Sequence, residues 1–293
     1  MGQQIVNGLF LGSIYALFAL GYTLVFGVLD ILNLAHAAVF MLAAFVALAF
    51  VGNAGLPILV AMPLAVLVAG LLGLLLERVA FRPLRGRANS NFSGLISSLA
   101  MATVFEAAAL LLWGPNVTRF PFGTLPQGKP IPVLGVEVSR LQLTTVGVAI
   151  LLFLVLTWLV QGTRLGREVR AVAESPRAAR ILGVNVDRAI GASFFISSAL
   201  GGAAGVLFGL AYNAIAPDMG RSVELKGLAV IILGGMGSMP GAVIAGFALG
   251  LSEVFVVAHL GASWRDAVSF AGLFLILVLR PRGLLGQAAL REA

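Results

Sequence analysis

The chain has 293 residues, of which 60% are hydrophobic and only 11% are charged, and its formal net charge is +7. Soluble domains contain about 25% charged residues, so this composition excludes an ordinary soluble domain and predicts a protein that crosses a membrane several times. The basic residues lie in short stretches between apolar segments, which argues against a nucleic-acid-binding surface. The chain contains no cysteine, which excludes disulfides, thiol catalysis and thiolate metal sites.

Apolar runs divide the chain into predicted transmembrane helices. We predict an all-α polytopic membrane protein with about eight (eight to ten) such helices, since each needs about 20 mostly apolar residues. These helices are expected to form a single transmembrane domain over residues 1–293. The predicted spans are Ile5–Val28, Leu34–Val51, Leu56–Leu76, Gly94–Trp113, Leu141–Val160, Ile190–Tyr212, Ala242–Val257 and two short segments, Leu225–Leu233 and Asp266–Leu279. The first stretch has no basic region at its start, so we interpret it as a retained span and not as a cleaved signal peptide.

The distribution of arginine predicts the orientation, because basic loops face the cytoplasm. Four arginines follow the third predicted span: Arg78, Arg82, Arg85 and Arg87. Two spans further along, Gln161–Ile190 contains six more arginines and lies on the same side by parity. The N-terminus and the proline-rich loop Trp113–Arg140, which we expect to be irregular, are then external. If Leu225–Leu233 crosses the membrane, the C-terminal tail is cytoplasmic with Arg280, Arg282 and Arg291.

Polar and glycine-rich breaks interrupt the apolar pattern at two places. Asp30, Asn33 and His36 lie between the first two spans, and such groups are expensive in hydrocarbon. They are predicted either to line a pathway or gate, or to form an ordinary turn at the membrane surface. The second break contains Gly234, Gly235 and Gly237. It lacks the lysine of a phosphate loop, so we interpret it as a turn that breaks a membrane helix. Such a turn must be buried or line a water-filled cavity, and these glycines are predicted to belong to the pathway or gate.

Carboxylates and small residues occur inside the apolar segments. Glu106 and Glu253 have no basic partner in their own spans, and they indicate either a proton relay or hydrogen bonds to neighbouring helices. Glycines repeat every four residues and predict closely packed helix faces, at Gly201, Gly205 and Gly209 and again at Gly246 and Gly250.

The sequence has no nucleophile, metal or nucleotide motif. His36 and His259 are the only histidines and are far apart, so we expect neither a metal site nor a cofactor bound by this chain, and we expect no enzymatic activity.

The loop Gln161–Ile190 contains a predicted short helix. Ser175 is a suitable N-cap, Pro176 suits the first helical position, and Gly183 can take the left-handed conformation that ends a helix. Ala178, Ile181 and Leu182 share one face of this helix. The loop is either a plain orientation signal, a segment that lies on anionic lipid, or a helix that docks into a protein partner.

Three segments resemble the LivH-type branched-chain amino acid permeases of ATP-binding-cassette importers: NGLFLGSIYALFALGYTLVFGVLDILNLAHAAVFML, LGREVRAVAESPRAARILGVNVDRAIGASFFISSALGGAAGVLFG and LKGLAVIILGGMGSMPGAVIAGFALGLSE. The resemblance implies that the cytoplasmic loop carries a coupling helix for an ATPase subunit. Ala178, Ala179 and Gly183 match the Ala-Ala-xxx-Gly part of the importer coupling motif, whereas Arg177 stands where many importers have glutamate. The docking set implied by the resemblance also includes Glu174, Arg180, Ile181, Leu182 and Asp187.

The resemblance also implies partners and a substrate class. The partners are a second related permease subunit, two ATPase subunits that bind ATP and Mg²⁺, and a periplasmic or surface-tethered binding protein, in a bacterial or archaeal cell membrane. The substrate is expected to be a branched-chain amino acid, with urea or a short amide as the alternative within the family. An ion-coupled secondary transporter and a membrane-embedded enzyme are the competing functions.

Overall fold

The computed structural model describes residues 1–86, 89–124, 129–133, 135–280 and 283–286. The helices are α1 Gly2–Leu29, α2 His36–Gly52, α3 Ile58–Leu76, α4 Ser90–Trp113, α5 Arg140–Gly162, α6 Arg164–Glu174, α7 Pro176–Ile181, α8 Val186–Tyr212, α9 Met219–Gly234, α10 Met239–Leu260 and α11 Arg265–Leu279. A π-helical turn, Glu77–Phe81, and a 3-10 turn, Arg82–Leu84, follow α3, and another 3-10 turn, Ala262–Trp264, precedes α11. The predicted all-α membrane fold is confirmed.

Within the described residues, seven helical segments are long and apolar enough to cross a membrane. They are formed by α1, α3, α4, α5, α8, α10 and α11. The other two predicted spans correspond to α2, with 17 residues, and α9, with 16. The nine segments fall within the predicted range of eight to ten.

The external loop was predicted to be irregular, and this is wrong for its second half. Strands β1 (Ile131–Val133) and β2 (Val136–Val138) form an antiparallel hairpin in which Ile131 pairs with Val138. Gly135 makes the turn possible, since its φ of 78° lies in the left-handed region that favours glycine. The β-branched residues on both strands favour extended backbone, so Pro130 precedes the hairpin and Pro132 lies within β1, opposite Glu137.

Contacts between distant parts of the chain define the two ends of the bundle. At the inner end, Asp187 contacts Arg82 and Arg85, and backbone N–H groups of Leu284 and Leu285 donate to the carbonyls of Leu233 and Gly234. The tail therefore returns to the end where α9 stops and α10 starts. Because the arginine-rich loops lie here, we expect the inner end to face the cytoplasm.

The outer end joins the predicted external segments. The amide of Gln142 in α5 donates to the Asn7 side chain at 2.8 Å, and Thr118 forms a two-way backbone bridge with Ile215. The N-terminus, the 113–140 loop and the α8–α9 connection thus lie together, as the predicted topology requires.

Helices α1 and α8 form the centre of the bundle. In the most apolar stretch of each helix, 83% of the residues are buried in α1 and 72% in α8, but only 22% in α4 and in α5. Helices α4 and α5 are therefore peripheral. Small residues allow the central helices to approach closely. A Cβ on Gly246 in α10 would lie 2.7 Å from the Ala16 nitrogen in α1, and a Cβ on Gly205 in α8 would overlap the Phe40 carbonyl of α2.

The remaining glycines of the two predicted faces lie at similar contacts. A Cβ on Gly201 would reach the ring of His36, one on Gly209 would contact Ile215 and Ala44, and one on Gly250 would overlap the backbone of Gly12. The glycine series of α8 therefore faces α2, and that of α10 faces α1.

Candidate functional site

The connection between α1 and α2 turns back into the bundle. Asp30 ends α1 with a φ of 56°, and its backbone N–H donates to the Phe26 carbonyl. Asn33 is only 2% exposed, and its Oδ1 accepts a hydrogen bond from the Ala35 N–H at 3.2 Å. The Leu34 N–H donates to Ser98 Oγ of α4 at 3.2 Å. The polar groups of this break therefore satisfy the backbone that precedes α2.

His36, the first residue of α2, is fully enclosed near the middle of the bundle. Its Nε2 lies 3.2 Å from the Phe18 carbonyl, which can only accept, so Nε2 carries the proton in this contact. The ring packs between Gly21 and Gly201 and against the ring of Tyr22 at 5.3 Å. Phe18 and Gly201 each lie eleven residues before the end of their helix, which corresponds to about 16 Å along the helix axis. Since α1 ends at the inner end and α8 at the outer end, His36 lies near mid-depth.

Helix α9 also begins inside the bundle. The chain leaves α8 at Asn213, turns inward past Gly209, where Ile215 is fully buried, and begins α9 at Met219. A Cβ on Gly220 would lie 2.5 Å from the Ala37 carbonyl oxygen at the start of α2. Two partial-length helices thus start side by side near mid-depth, an arrangement found where transporters bind substrate.

The first turns of α9 carry ionisable residues that sequence reasoning missed: Arg221, Glu224 and Lys226. Arg221 donates two hydrogen bonds to Glu106 of α4, at 2.7 and 3.4 Å. Both intramembrane carboxylates therefore have basic partners from α9, because Lys226 reaches Glu253. The available signal was the segment MGRSVELKG, which interrupts the apolar pattern just before the predicted span.

The Lys226–Glu253 pair is buried, unlike the Arg221–Glu106 pair. Lys226 Nζ lies 2.9 Å from Glu253 Oε1 and 3.3 Å from Asp266, and it donates to the Tyr15 hydroxyl at 3.2 Å. Tyr15 in turn donates to Glu253 Oε2 at 2.9 Å. This network joins α1, α9, α10 and α11, as expected of a structural tie, that is, an interaction that stabilises the packing of helices against one another.

The glycine-rich break forms the turn between α9 and α10. The backbones of Gly234 and Gly241 touch, so that a Cβ on either would overlap the other, and Gly235 lies against the backbone of Gly286. Gly237 has a φ of 85°, and nothing lies within 4 Å of the position that a Cβ would occupy there. The three predicted glycines thus lie at the inner end, and Gly234 and Gly235 contact the returning tail.

Two helices, not one, form the cytoplasmic loop. The predicted helix is confirmed as α7, because the Ser175 Oγ accepts from the Ala178 N–H at 3.3 Å, Pro176 starts the helix, and Gly183 has a φ of 84°. Sequence reasoning missed α6, although Thr163 caps it through the Gly166 N–H at 3.1 Å. The signal for α6 is the spacing of Leu165, Val169 and Val172, which gives an apolar face.

The apolar side chains of α7 point into solvent. Ile181 is 86% exposed and Leu182 is 81% exposed, whereas Ala179 is buried against the loop. Ala178, Arg177 and Arg180 are exposed as well, and Glu174 at the end of α6 is exposed beside them. The exposed apolar pair on a cytoplasmic helix is typical of a surface that a protein partner covers.

Ion pairs fasten this loop to the π-helical region after α3. Asp187 accepts from Arg82 at 3.0 Å and from Arg85 at 2.8 Å, and Arg85 also pairs with the buried Glu77. A cleft of about 440 Å³ lies between these residues, α4 and Arg180. Asp187 therefore links the start of α8 to the α3–α4 connection, next to α7.

Within the described ranges, no group of three or more histidine, aspartate or glutamate side chains could hold a metal ion.

Comparison with known proteins identifies the family. A family model described as branched-chain amino acid transport system / permease component matches residues 4–278. The chain is 36% identical to the high-affinity branched-chain amino acid transport system permease protein BraD of Pseudomonas aeruginosa, with 97% of this chain and 95% of BraD covered. It is also 36% identical to the corresponding LivH protein of Escherichia coli K12, over the same shares of both chains. The autoinducer 2 import system permease protein LsrC of Enterobacter sp. is 32% identical over 68% of this chain and 57% of LsrC. With most of its length matched by the family model and by BraD and LivH, the chain belongs to the branched-chain amino acid transport permease family.

Proposed function

We propose that this chain is the membrane-spanning permease subunit of an ATP-driven importer that translocates branched-chain amino acids. The observation that carries the coupling part of the proposal is the exposed pair Ile181 and Leu182 on α7. Water-exposed leucine and isoleucine side chains on a capped helix are expected to be buried in an assembly. In this proposal the assembly is an importer, and its motor is a separate ATPase.

The position of α7 suits the transmission of force. The hydrogen-bonded contacts of Asp187 with Arg82 and Arg85 join the loop to the end of α3, and α8 begins at Val186 and passes through the bundle centre beside His36. A partner that moves α7 would therefore move α3 and α8 together. In this proposal ATP and Mg²⁺ bind only to the ATPase subunits.

The full assembly contains a second related permease subunit, two ATPase subunits and a substrate-binding protein, in a bacterial or archaeal cell (inner) membrane. The binding protein delivers the substrate at the outer end, where the N-terminus and the β1–β2 hairpin lie. Leucine, isoleucine and valine are the proposed substrates because BraD and LivH are named for them. LsrC is named for autoinducer 2 import, so the name of one related permease specifies a different substrate.

The decisive experiment reconstitutes the chain in proteoliposomes with its partner permease, the candidate ATPases and a leucine-loaded binding protein. We expect leucine-loaded binding protein to stimulate ATP hydrolysis. The double substitution Ile181→Asp and Leu182→Asp is expected to abolish ATPase association, since it places carboxylates in an apolar contact. Phe122→Asp is the matched control, because Phe122 is also fully exposed but lies at the outer end.

A different outcome would contradict the proposal. Leucine uptake driven by a proton gradient without any ATPase would establish the secondary-transporter alternative. The structure gives that alternative little support, because Glu106 and Glu253 both form ion pairs with basic residues of α9.

A further inference from the structure

The start of α9 presents charge on the surface of this chain near mid-depth. Arg221 forms an ion pair with Glu106 and yet 72% of its side chain is exposed, against 22% for Glu106. The buried pair Lys226 and Glu253 is only 10% and 0% exposed. The two ion pairs therefore have different surroundings, although they arise from the same helix.

Lipid does not suit the exposed pair. Ionisable groups at membrane depth face protein or a water-filled cavity, and Gly220, directly before Arg221, contacts the α2 start near mid-depth. The α9 start is therefore expected to face water or the second permease subunit. Our proposal takes this face to line a path between the chain and that subunit.

A second carboxylate lies one helical turn after Arg221. The Oε1 atom of Glu224 is buried and accepts no hydrogen bond from the described residues. Tyr22 is only 1% exposed, and its hydroxyl also has no hydrogen-bond partner among the described residues. A buried carboxylate oxygen without a donor is costly, so this position is suited to a ligand that brings N–H donors.

The side chains of Arg221, Glu106 and Glu224 match the two charged ends of a free amino acid. Arginine binds a carboxylate through two parallel hydrogen bonds, and Arg221 already holds the Glu106 carboxylate with two. An ammonium group has three donors and needs carboxylate acceptors. A zwitterion could therefore give its carboxylate to Arg221, in place of Glu106, and its ammonium to Glu106 and Glu224.

We propose that Arg221, Glu106 and Glu224 recognise the α-amino-acid zwitterion inside the translocation path. This proposal rests on the proposed function and names the chemical group of the substrate that these residues bind. Binding of the zwitterion adds no net charge to the membrane interior, since the ligand brings one positive and one negative group. Urea and short amides lack both charges and gain nothing from Arg221.

The test measures ligand binding to the permease–ATPase complex in lipid nanodiscs without the binding protein, by competition against radiolabelled leucine. The competitors are leucine, leucinamide, which lacks the carboxylate, and 4-methylpentanoate, which lacks the ammonium group. We expect both analogues to bind wild type about tenfold or more weakly than leucine, the equivalent of one lost charge-assisted contact.

Charge-selective variants make the test specific. Arg221→Gln is expected to weaken leucine binding about tenfold and to leave leucinamide binding unchanged. Glu224→Gln is expected to weaken the binding of leucine and leucinamide and to leave that of 4-methylpentanoate unchanged. Arg119→Gln and Glu137→Gln are matched controls, because both residues are exposed at the outer end. Co-purification of the ATPase subunits and the thermal unfolding midpoint report that each variant is folded and assembled.

Two results would overturn the zwitterion site. The first is wild-type leucine affinity in both Arg221→Gln and Glu224→Gln, and the second is an equal loss of all three ligands in either variant. Either result, with ATP hydrolysis still stimulated by the loaded binding protein, leaves the importer function intact. Failure of any ATPase to associate contradicts the importer function instead, and leucine binding to the purified permease then still decides the site.

Discussion

The Nζ atom of Lys226 in α9 lies 2.9 Å from the Oε1 atom of Glu253 in α10, with both side chains almost fully buried. Removing one partner of such a pair leaves an uncompensated charge in a low-dielectric interior. We expect Lys226→Met to destabilise the protein by about 3–5 kcal/mol. The measurement is the thermal unfolding midpoint of the purified protein in detergent.

The double variant Lys226→Met, Glu253→Gln is the control for that experiment. It removes both charges, so most of the lost stability is expected to return. A Lys226→Met variant as stable as wild type would show that the buried pair is not a structural tie.

The end of α7 depends on the left-handed conformation of Gly183, whose φ is 84°. No atom lies within 4 Å of the position that a Cβ would occupy, so a substitution there costs conformational energy only. Gly183→Val is expected to cost about 1–2 kcal/mol locally and to reduce ATP hydrolysis stimulated by the loaded binding protein. Gly183→Asn, which tolerates this conformation, should retain stimulation. Equal stimulation in the valine variant would contradict a role for the helix end in coupling.

Asp187 is expected to matter more for coupling than for stability. Its pair with Arg82 is half exposed, at 47% and 51%, and such pairs contribute roughly 0–1 kcal/mol. Asp187→Ala should therefore leave the unfolding midpoint nearly unchanged and lower the number of leucine molecules transported per ATP. Glu168→Ala breaks the exposed pair with Arg164 in the same loop and should leave that ratio unchanged. Equal ratios in both variants would contradict the mechanical link.

Close approach of α8 to α2 predicts an asymmetric response to alanine. A Cβ on Gly205 would overlap the Phe40 carbonyl, so Gly205→Ala should destabilise by about 1–3 kcal/mol through overpacking. Gly147 in α5 has nothing within 4 Å of its Cβ position, and Gly147→Ala should stabilise by about 0.5–1 kcal/mol. Thermal unfolding in detergent compares the two, and similar midpoints would contradict the described α2–α8 contact.

Local signals in the sequence were sufficient for most helices. The spans Ile5–Val28 and Leu141–Val160 lie inside α1 and α5, because apolar length alone marks a buried or lipid-facing helix. The cap residues Ser175 and Gly183 were enough to place α7. Each of these features depends only on residues a few positions apart.

The start of α9 could not be predicted in that way. The apolar segment begins at Leu225, but the helix begins six residues earlier at Met219. Arg221 and Lys226 are tolerated there because Glu106 and Glu253 accept their charge. Both partners are more than twenty residues away in the chain, and a single sequence contains no record of such contacts.

The roles of several candidate residues stay predictions. Asp30, Asn33 and His36 form the break before α2, and their role in a pathway or gate stays a prediction. The contact of Arg177 with an ATPase subunit is a prediction as well.

The hydrogen bonds from Leu284 and Leu285 to the carbonyls of Leu233 and Gly234 have a consequence for biosynthesis. Carbonyls in the last turn of a helix lack partners within it, and here the partners for α9 come from residues about fifty positions later. While the ribosome is still making α10 and α11, the inner end of α9 is incomplete. The charged helix is therefore finished only when the last membrane segment has been inserted.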